Sequence, residues 1–191
     1  MGCGAHGLVG FTKKERNKEM RKIAMFSLGR SGTHAVGRWV YESLKGNTIC
    51  ITGCKTDVPE LVDAHGITHI EQIIRSKYVG DFEVWRNFNI TEEEPDNIMY
   101  IFEDRDFRIY KDYSFTDVII NNRDPYNSMA SRYKRMENFS YFLFLQYIKE
   151  SLGETSEVQG VNFLGINFNK WFVSEEYRSE LALSFGMESN D

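Results

Sequence analysis

Short apolar runs alternate with amphipathic stretches along most of this chain. Runs typical of buried strands lie near residues 23, 48, 83, 99, 117 and 163. Apolar residues at helical spacing occupy the ranges 35–44, 67–77, 125–136, 139–152 and 175–185. Strands that alternate with helices predict an α/β fold of three layers, α/β/α, around a largely parallel central sheet.

The first transition from strand to helix carries a glycine-rich loop with one cation. Gly29 and Gly32 allow backbone N–H groups to approach a ligand, and the free N–H groups at the start of a helix carry partial positive charge. Arg30 adds a full positive charge, and Ser31 and Thr33 add hydroxyl donors. The loop therefore predicts a site for a phosphate or a sulfate.

This loop differs from the nucleotide-binding loop of ordinary ATPases and GTPases. That loop has the pattern G-x-x-x-x-G-K-[ST], and no glycine in this chain is followed by Lys-Ser or Lys-Thr. The pattern thus disfavours an ordinary ATPase or GTPase. Taken alone, the loop is also compatible with a turn that packs a helix tightly on a sheet.

A second transition from strand to helix begins after the apolar residues near 117–120. Asp124 is suited to cap a helix and Pro125 to occupy its first turn, where the missing N–H costs nothing. Arg123 then lies at the carboxyl end of the strand, and Ser131 lies about two helical turns, roughly 10 Å, further on. Ligands of open α/β sheets collect beyond the carboxyl ends of strands, so both loops are expected at one site.

Together the two motifs resemble those of the sulfotransferases that use 3′-phosphoadenosine 5′-phosphosulfate (PAPS). Residues 30–33, Arg-Ser-Gly-Thr, match the family's [K/R]-S-G-T loop, which binds the 5′-phosphosulfate. Residues 123–125, Arg-Asp-Pro, and Ser131 match in type and spacing the motif that binds the 3′-phosphate. The range 165–186 also resembles the strand and helix that follow in bacterial and viral members. The resemblance implies a sulfotransferase fold similar to that of P-loop NTPases.

The activity that this resemblance implies is transfer of a sulfuryl group from PAPS to a hydroxyl or amine acceptor, which leaves adenosine 3′,5′-bisphosphate (PAP). No metal is expected. The cofactor-binding residues it implies are Gly29, Arg30, Ser31, Gly32, Thr33, His34, Arg123 and Ser131. Arg30 and Thr33 would also neutralise charge on the bridging oxygen. The acceptor class stays open among small molecules, glycans and lipids.

The base that takes the acceptor's proton has three candidates in the sequence. Glu103 follows the apolar run 98–102 and so lies at the end of a strand that faces the same edge. His34 is nearer the loop, although at a helix start it also suits a capping role or contact with the 5′-phosphate. His65 is the third. A solvated loop carboxylate is the structural alternative for Glu103.

Two other functions remain compatible with the sequence. An apolar strand that ends in an acidic residue is also how P-loop NTPases hold magnesium, so a small-molecule kinase with a divergent loop is the first alternative. A catalytically inactive relative that binds a nucleotide or a partner is the second. Magnesium dependence would distinguish the first, and ligand binding without transfer would distinguish the second.

A possible zinc motif is formed by Cys50, Cys54, His65 and His69, which faintly resemble a Cys₂His₂ site. The central gap is ten residues rather than about twelve. Cys50 also lies in a stretch that reads as a strand. We therefore expect buried thiols and no metal.

Composition agrees with one domain of α/β type over residues 21–191. The chain has 191 residues, 41% hydrophobic and 14% aromatic, which is enough for a substantial core. Residues 1–20 are expected to form a glycine-rich, charged arm that can be disordered. A net charge of −5 argues against a general nucleic-acid binder. An anionic ligand would therefore need positively charged side chains close to its binding site. Arg132, Lys134 and Arg135 are candidates, with a solvated helix face as the alternative.

Cysteine usage and hydropathy suggest the compartment. Three cysteines form no disulfide framework and suit a reducing environment. No apolar segment of signal-peptide type opens the sequence, and no run of about 18 apolar residues occurs in it. We expect a cytoplasmic protein without a membrane span.

Overall fold

A computed structural model describes residues 20–77, 82–90 and 93–188. The arm expected over residues 1–20 lies outside these ranges except for Met20. None of the described helices has the length and apolar content that crossing a bilayer requires.

The centre of the molecule is a six-stranded sheet with the strand order β3-β2-β4-β1-β5-β6. Every neighbouring pair is parallel except β2 and β3, so the predicted largely parallel sheet is confirmed. All six strands fall where the apolar runs predicted them. Their bounds are Arg21–Ser27 (β1), Thr48–Ile51 (β2), Val84–Arg86 (β3), Asn97–Glu103 (β4), Asp117–Asn122 (β5) and Asn162–Asn167 (β6).

Seven α-helices surround this sheet in the described part of the chain. They span Thr33–Ser43 (α1), Val58–His65 (α2), Ile70–Lys77 (α3), Pro125–Tyr133 (α4), Tyr141–Ser151 (α5), Phe168–Val173 (α6) and Glu175–Ser184 (α7). Short 3₁₀ turns lie at Ile67–His69 and Phe107–Asp112. The sequence pattern predicted five of these helices. It missed α2 and α6, which have only eight and six residues and so show too few apolar repeats to reveal a period. Helix α3 also has eight residues, but the 3₁₀ turn that precedes it extends the periodic range to residues 67–77.

The core consists of two apolar layers, one on each face of the sheet. Helices α2, α3 and α5 cover one face, and α1, α6 and α7 cover the other, so the predicted three-layer arrangement is confirmed. The central strand β1 contributes to both layers, because Ala24 and Phe26 face one layer while Ile23 and Met25 face the other. A strand buried on both faces has a continuous apolar sequence. Helix α4 contributes no residue to either layer.

An ion pair joins β1 to β5 at the amino edge of the sheet. Asp117 is fully buried and accepts hydrogen bonds from Arg21 Nε at 3.1 Å and Arg21 Nη2 at 2.6 Å. Burial raises the pKa of Asp117, but the hydrogen bonds from Arg21 and Thr116 outweigh it and leave the pKa below its ordinary value. The charged pair therefore stabilises the edge opposite the two motifs.

Asp117→Asn tests this ion pair. Removing one partner of a fully buried pair costs about 3–5 kcal/mol, and Arg21 keeps 25% of its side chain exposed, so we expect a loss of about 2 kcal/mol at pH 7. Because the folded-state pKa is depressed, this stability is present above pH 4 and is lost as the pH falls through the folded-state pKa. Urea unfolding at several pH values measures it.

Asp63→Asn is the matched control for that experiment. Asp63 pairs with Lys22, the next residue of β1, but its side chain is 53% exposed. An exposed pair contributes about 0–1 kcal/mol, so this variant should unfold almost as the parent does. Equal losses in the two variants, or a loss for Asp117→Asn that persists at low pH, would contradict the role given to the Arg21 pair.

Candidate functional site

The loop between β1 and α1 is a tight turn closed by its own backbone. The Ser31 N–H donates to the Leu28 carbonyl at 3.1 Å, and the Ser31 hydroxyl donates to the same oxygen. Arg30 has φ of 68°, a left-handed conformation that residues other than glycine rarely adopt. The turn therefore buries Ser31 inside the loop and turns Arg30 outward, where it is partly exposed.

Gly32 is required in this loop for two separate reasons. Its φ is 78°, and a Cβ atom built on it would overlap the ring of Phe168 at the start of α6. The ring thus packs directly on the backbone that leads into α1. A side chain at this position would be strained and would also displace Phe168.

The amino end of α1 has N–H donors that no side chain caps. Its first helical hydrogen bond runs from the Val36 N–H to the Gly32 carbonyl at 3.0 Å, and its N-cap residue, Gly32, has no side chain to cap it. The N–H groups that precede Val36 have no partner within the helix. The Thr33 hydroxyl meets the Ser27 hydroxyl at 2.6 Å, which fixes the first turn to the end of β1. Such a helix start is suited to an anion.

The second motif folds as its sequence predicts and contacts the first. Asp124 caps α4 by accepting the Asn127 N–H at 2.8 Å, and Pro125 occupies the first turn. Arg123 Nη1 donates to the Arg30 carbonyl at 3.0 Å. Arg30 Nε lies 3.4 Å from Ser131 Oγ, a long hydrogen bond. Residues 93 positions apart in the chain are therefore in direct contact.

These contacts enclose one cavity of about 270 Å³ at the carboxyl edge of the sheet. Its walls bring together two arginines and one carboxylate, so the charge facing the cavity is positive. The lining residues are Arg30, Gly32, Thr33, His34, Ala35, Glu103, Arg123 and Ser131. Two of the three base candidates, His34 and Glu103, are among them, and His65 is exposed at the end of α2, outside the lining.

Gly29 and Ser31 do not line this cavity. The Gly29 N–H donates to Asp104 Oδ1 at 3.1 Å, and the Gly29 carbonyl accepts from Arg132 Nε at 3.0 Å. The Ser31 carbonyl accepts from Asn121 Nδ2 at 3.0 Å. Both residues therefore fix the conformation of the loop through backbone hydrogen bonds and do not line the cavity.

The sequence reasoning missed Asp104 and Phe168 and assigned Arg132 to a general basic cluster. Arg132 follows Ser131 directly on α4, and a step of one residue turns a side chain about 100° around a helix. Ser131 therefore lines the cavity while Arg132 is buried against the loop. Lys134 and Arg135 are exposed, as the alternative of a solvated face predicts.

Arg123 is incompletely satisfied by the protein. Its Nε atom is buried and has no hydrogen-bond partner in the described part of the chain. Its guanidinium carbon lies 5.0 Å from the centre of the Phe168 ring, which covers one face of the group. A buried donor without a partner costs free energy, so an anionic ligand that reached this atom would gain affinity from it.

The possible zinc motif is not assembled. Cys50 and Cys54 are buried, and burial raises the pKa of both thiols, whereas His65 and His69 are exposed. Over the described ranges, no three His, Cys, Asp or Glu side chains come together in the manner of metal ligands.

The packing of Phe168 on Gly32 gives a second prediction. A left-handed residue other than glycine costs about 1–2 kcal/mol, and overpacking costs about 1–3 kcal/mol more, so Gly32→Ala should lower the free energy of unfolding by both amounts. Gly153→Ala is the matched control, because Gly153 has φ of 72° and nothing within 4 Å of its Cβ position. Urea unfolding compares them.

Adding Phe168→Ala to each glycine variant completes that test. Without the ring, Gly32→Ala should cost no more than Gly153→Ala, since only the backbone strain remains. An equal loss of unfolding free energy in Gly32→Ala and Gly153→Ala while the ring is present would contradict the prediction. It would show that the Phe168 ring moves aside at no measurable cost.

Comparisons with known proteins support the fold. No family model matches the chain, and no curated protein matches its sequence. Among solved structures, the chain is similar to the mouse sulfotransferase SULT7A1, crystallised in complex with PAP, with a TM-score of 0.50 and 11% sequence identity. The match covers 90% of this chain and 60% of the mouse chain. The six-stranded, mostly parallel sheet flanked by helices is therefore that of the sulfotransferase fold.

Proposed function

We propose that this chain is a sulfotransferase that binds PAPS and transfers its sulfuryl group to a hydroxyl or amine acceptor. The observation that carries the proposal is the single cavity at which the uncapped start of α1, Arg30, Arg123 and Ser131 converge. The sulfotransferase fold supports it. The proposed domain spans residues 21–191.

The 5′-phosphosulfate is proposed to bind at the start of α1. The backbone N–H groups there carry partial positive charge, and Arg30 adds a full charge at the cavity wall. The hydroxyl of Thr33 can accept from the buried Ser27 hydroxyl and donate to a ligand oxygen at the same time, because a hydroxyl both donates and accepts. This end of the cavity thus suits a phosphosulfate anhydride bound by backbone and side-chain donors.

The 3′-phosphate is proposed to bind between Arg123 and Ser131. The unpartnered Nε of Arg123 and the Ser131 hydroxyl, whose bond to Arg30 is long, are both available to an anion. The Phe168 ring, which the Arg123 guanidinium covers, stacks on Phe172 with ring centres 5.9 Å apart, and the exposed ring of Phe172 suits a nucleobase. Together these groups would distinguish a nucleotide that has both a 5′ and a 3′ phosphate from one that has only the 5′ phosphate.

The chemistry would proceed by in-line displacement at sulfur. The acceptor oxygen or nitrogen attacks the sulfur, the bond from sulfur to the bridging phosphate oxygen breaks, and PAP leaves with the negative charge. Arg30 and the loop N–H groups neutralise that charge, and a well-aimed donor of this kind lowers the barrier by about 2.7–4 kcal/mol. Glu103 takes the acceptor's proton, because it lies at the wall shared with Arg30. His34 is the alternative base at the same wall.

Calorimetric titration with PAP tests the binding site. PAP should bind at least tenfold more tightly than 5′-AMP, because only PAP reaches Arg123 and Ser131. Arg123→Ala should remove this preference, and 5′-AMP affinity should fall less than PAP affinity, because Arg123 also donates to the Arg30 carbonyl. Arg135→Ala is the matched control, since Arg135 is an exposed arginine on the turn after α4 and lies outside the cavity lining.

Two outcomes would overturn the proposal. Absence of PAP binding by the parent protein would be the first. Preference for ATP with magnesium over PAP would be the second, and it would favour the kinase alternative. A loss of affinity shared equally by the Arg123 and Arg135 variants would show general electrostatics rather than a 3′-phosphate contact.

Transfer itself is measured with radiolabelled PAPS and a panel of phenols, sugars, amines and lipid alcohols. Removing a general base costs about 10²–10⁴ in rate, so Glu103→Gln should lower kcat at least a hundredfold while PAP affinity stays within threefold of the parent. His34→Gln is the paired variant. If it is the variant that loses kcat, His34 takes the role of the base and Glu103 becomes a wall residue.

A further inference from the structure

Arg132 is a buried cation that the proposed chemistry does not use. It is 4% exposed, although it lies on α4, the helix that contributes nothing to the two apolar layers. Its guanidinium lies 5.9 Å from the ring centre of Phe139. Burial of a charged group is costly unless every donor finds a partner, so the partners of Arg132 indicate what it does.

Each nitrogen of the Arg132 guanidinium contacts a different segment of the chain. Nε donates to the Gly29 carbonyl at 3.0 Å. Nη2 forms a hydrogen-bonded ion pair with Asp104, which follows β4. Nη1 donates to the Asn138 carbonyl in the turn that follows α4. One side chain thus ties the anion loop to two other segments.

All three segments contain a strained residue. Arg30, Asp104 and Met136 have φ of 68°, 54° and 57°, and they are the non-glycine residues with positive φ in the described ranges. Each lies within two residues of an atom that the Arg132 guanidinium contacts. Conformations of this kind persist where the surrounding structure over-determines them, and they cluster at functional sites.

Both backbone polar groups of Gly29 are held by hydrogen bonds. Its N–H donates to Asp104 Oδ1 and its carbonyl accepts from Arg132, while the Asp104 N–H donates to the Ser27 carbonyl at 3.0 Å. A Cβ on Gly29 would lie 2.9 Å from Arg132 Nη2 and 3.0 Å from Asp104 Oδ2. The ion pair therefore packs against the loop without room for a side chain.

The same pair also neutralises a carboxylate that is next in sequence to the cavity wall. The Asp104 side chain is 42% exposed and directly follows Glu103, which lines the cavity. An unpaired carboxylate at this position would repel an anionic ligand. Arg132 offsets that charge and fixes the carboxylate on the Gly29 N–H.

We propose that Arg132 is a positioning residue which, with Asp104, holds the loop in its anion-binding conformation. The inference rests on the proposed function, because it assigns the loop to the 5′-phosphosulfate. Arg132 acts through Gly29 and Arg30 and does not line the cavity. It therefore differs from Arg123, which is proposed to contact the ligand itself.

Arg132→Lys tests the geometry, because lysine keeps the charge but cannot reach three segments with one planar group. We expect PAP and 5′-AMP affinities to fall by the same factor, at least tenfold, since both nucleotides have a 5′ group at the loop. The preference for PAP over 5′-AMP should remain, whereas Arg123→Ala removes it. Arg135→Lys, an exposed exchange of the same type, should bind both nucleotides as the parent does.

Amide hydrogen exchange gives a measurement that needs no nucleotide. In the parent protein the Gly29 N–H should be protected by Asp104, and Arg132→Lys should speed its exchange at least tenfold while β4 and β5 amides stay protected. Thermal unfolding of each variant shows that binding is measured on folded protein. Asp104→Asn should likewise speed Gly29 exchange, because an amide oxygen is a weaker acceptor than a carboxylate.

Two results would overturn the inference. One is unchanged Gly29 exchange in Arg132→Lys, and the other is parental affinity for both nucleotides in that folded variant. Absence of PAP binding by the parent protein overturns the proposed function instead, and the exchange measurement then decides alone whether Arg132 holds the loop.

Discussion

The parallel pairing of β1 with both β4 and β5 is the constraint on which the candidate site depends. The register aligns Ser27 with Glu103 on one side and with Asn121 on the other. The carboxyl ends of β4, β1 and β5 therefore lie side by side at one edge of the sheet. The segments that follow these strands are close together beyond that edge. The loop after β1, the Glu103 carboxylate and Arg123 are neighbours because strands β1, β4 and β5 are neighbours in the sheet.

The electrostatics of this edge contrast with those of the whole chain. The net charge is −5, yet two guanidinium groups and a helix start face the cavity against one carboxylate. An acidic surface repels nucleic acid in general, whereas a small positive cavity within it selects a compact anion. Binding would then depend on shape and on the spacing of phosphates more than on total charge.

The sequence predicted the sheet and most helices because strands buried on both faces are continuous apolar runs, as Ile23–Phe26 illustrates. It also predicted that the two loops meet, since both follow parallel strands that end at the same edge of the sheet. Arg132 could not be assigned from sequence, because its partners lie in segments 28 and 103 residues away. The overlap of Phe168 with Gly32 likewise depends on α6, a helix too short to show a period.

The contact between Arg123 and Arg30 across 93 residues has a consequence for how the protein acquires its site during folding. No local stretch of sequence contains both Arg30 and Arg123. Glu103 comes from β4, which lies between β1 and β5 in the sequence. Contacts of such long sequence separation form only after considerable chain entropy has been lost, which makes them late and slow. A newly made chain would therefore lack the enclosed cavity until β5 had joined β1, and the two-motif site would appear together with the completed sheet.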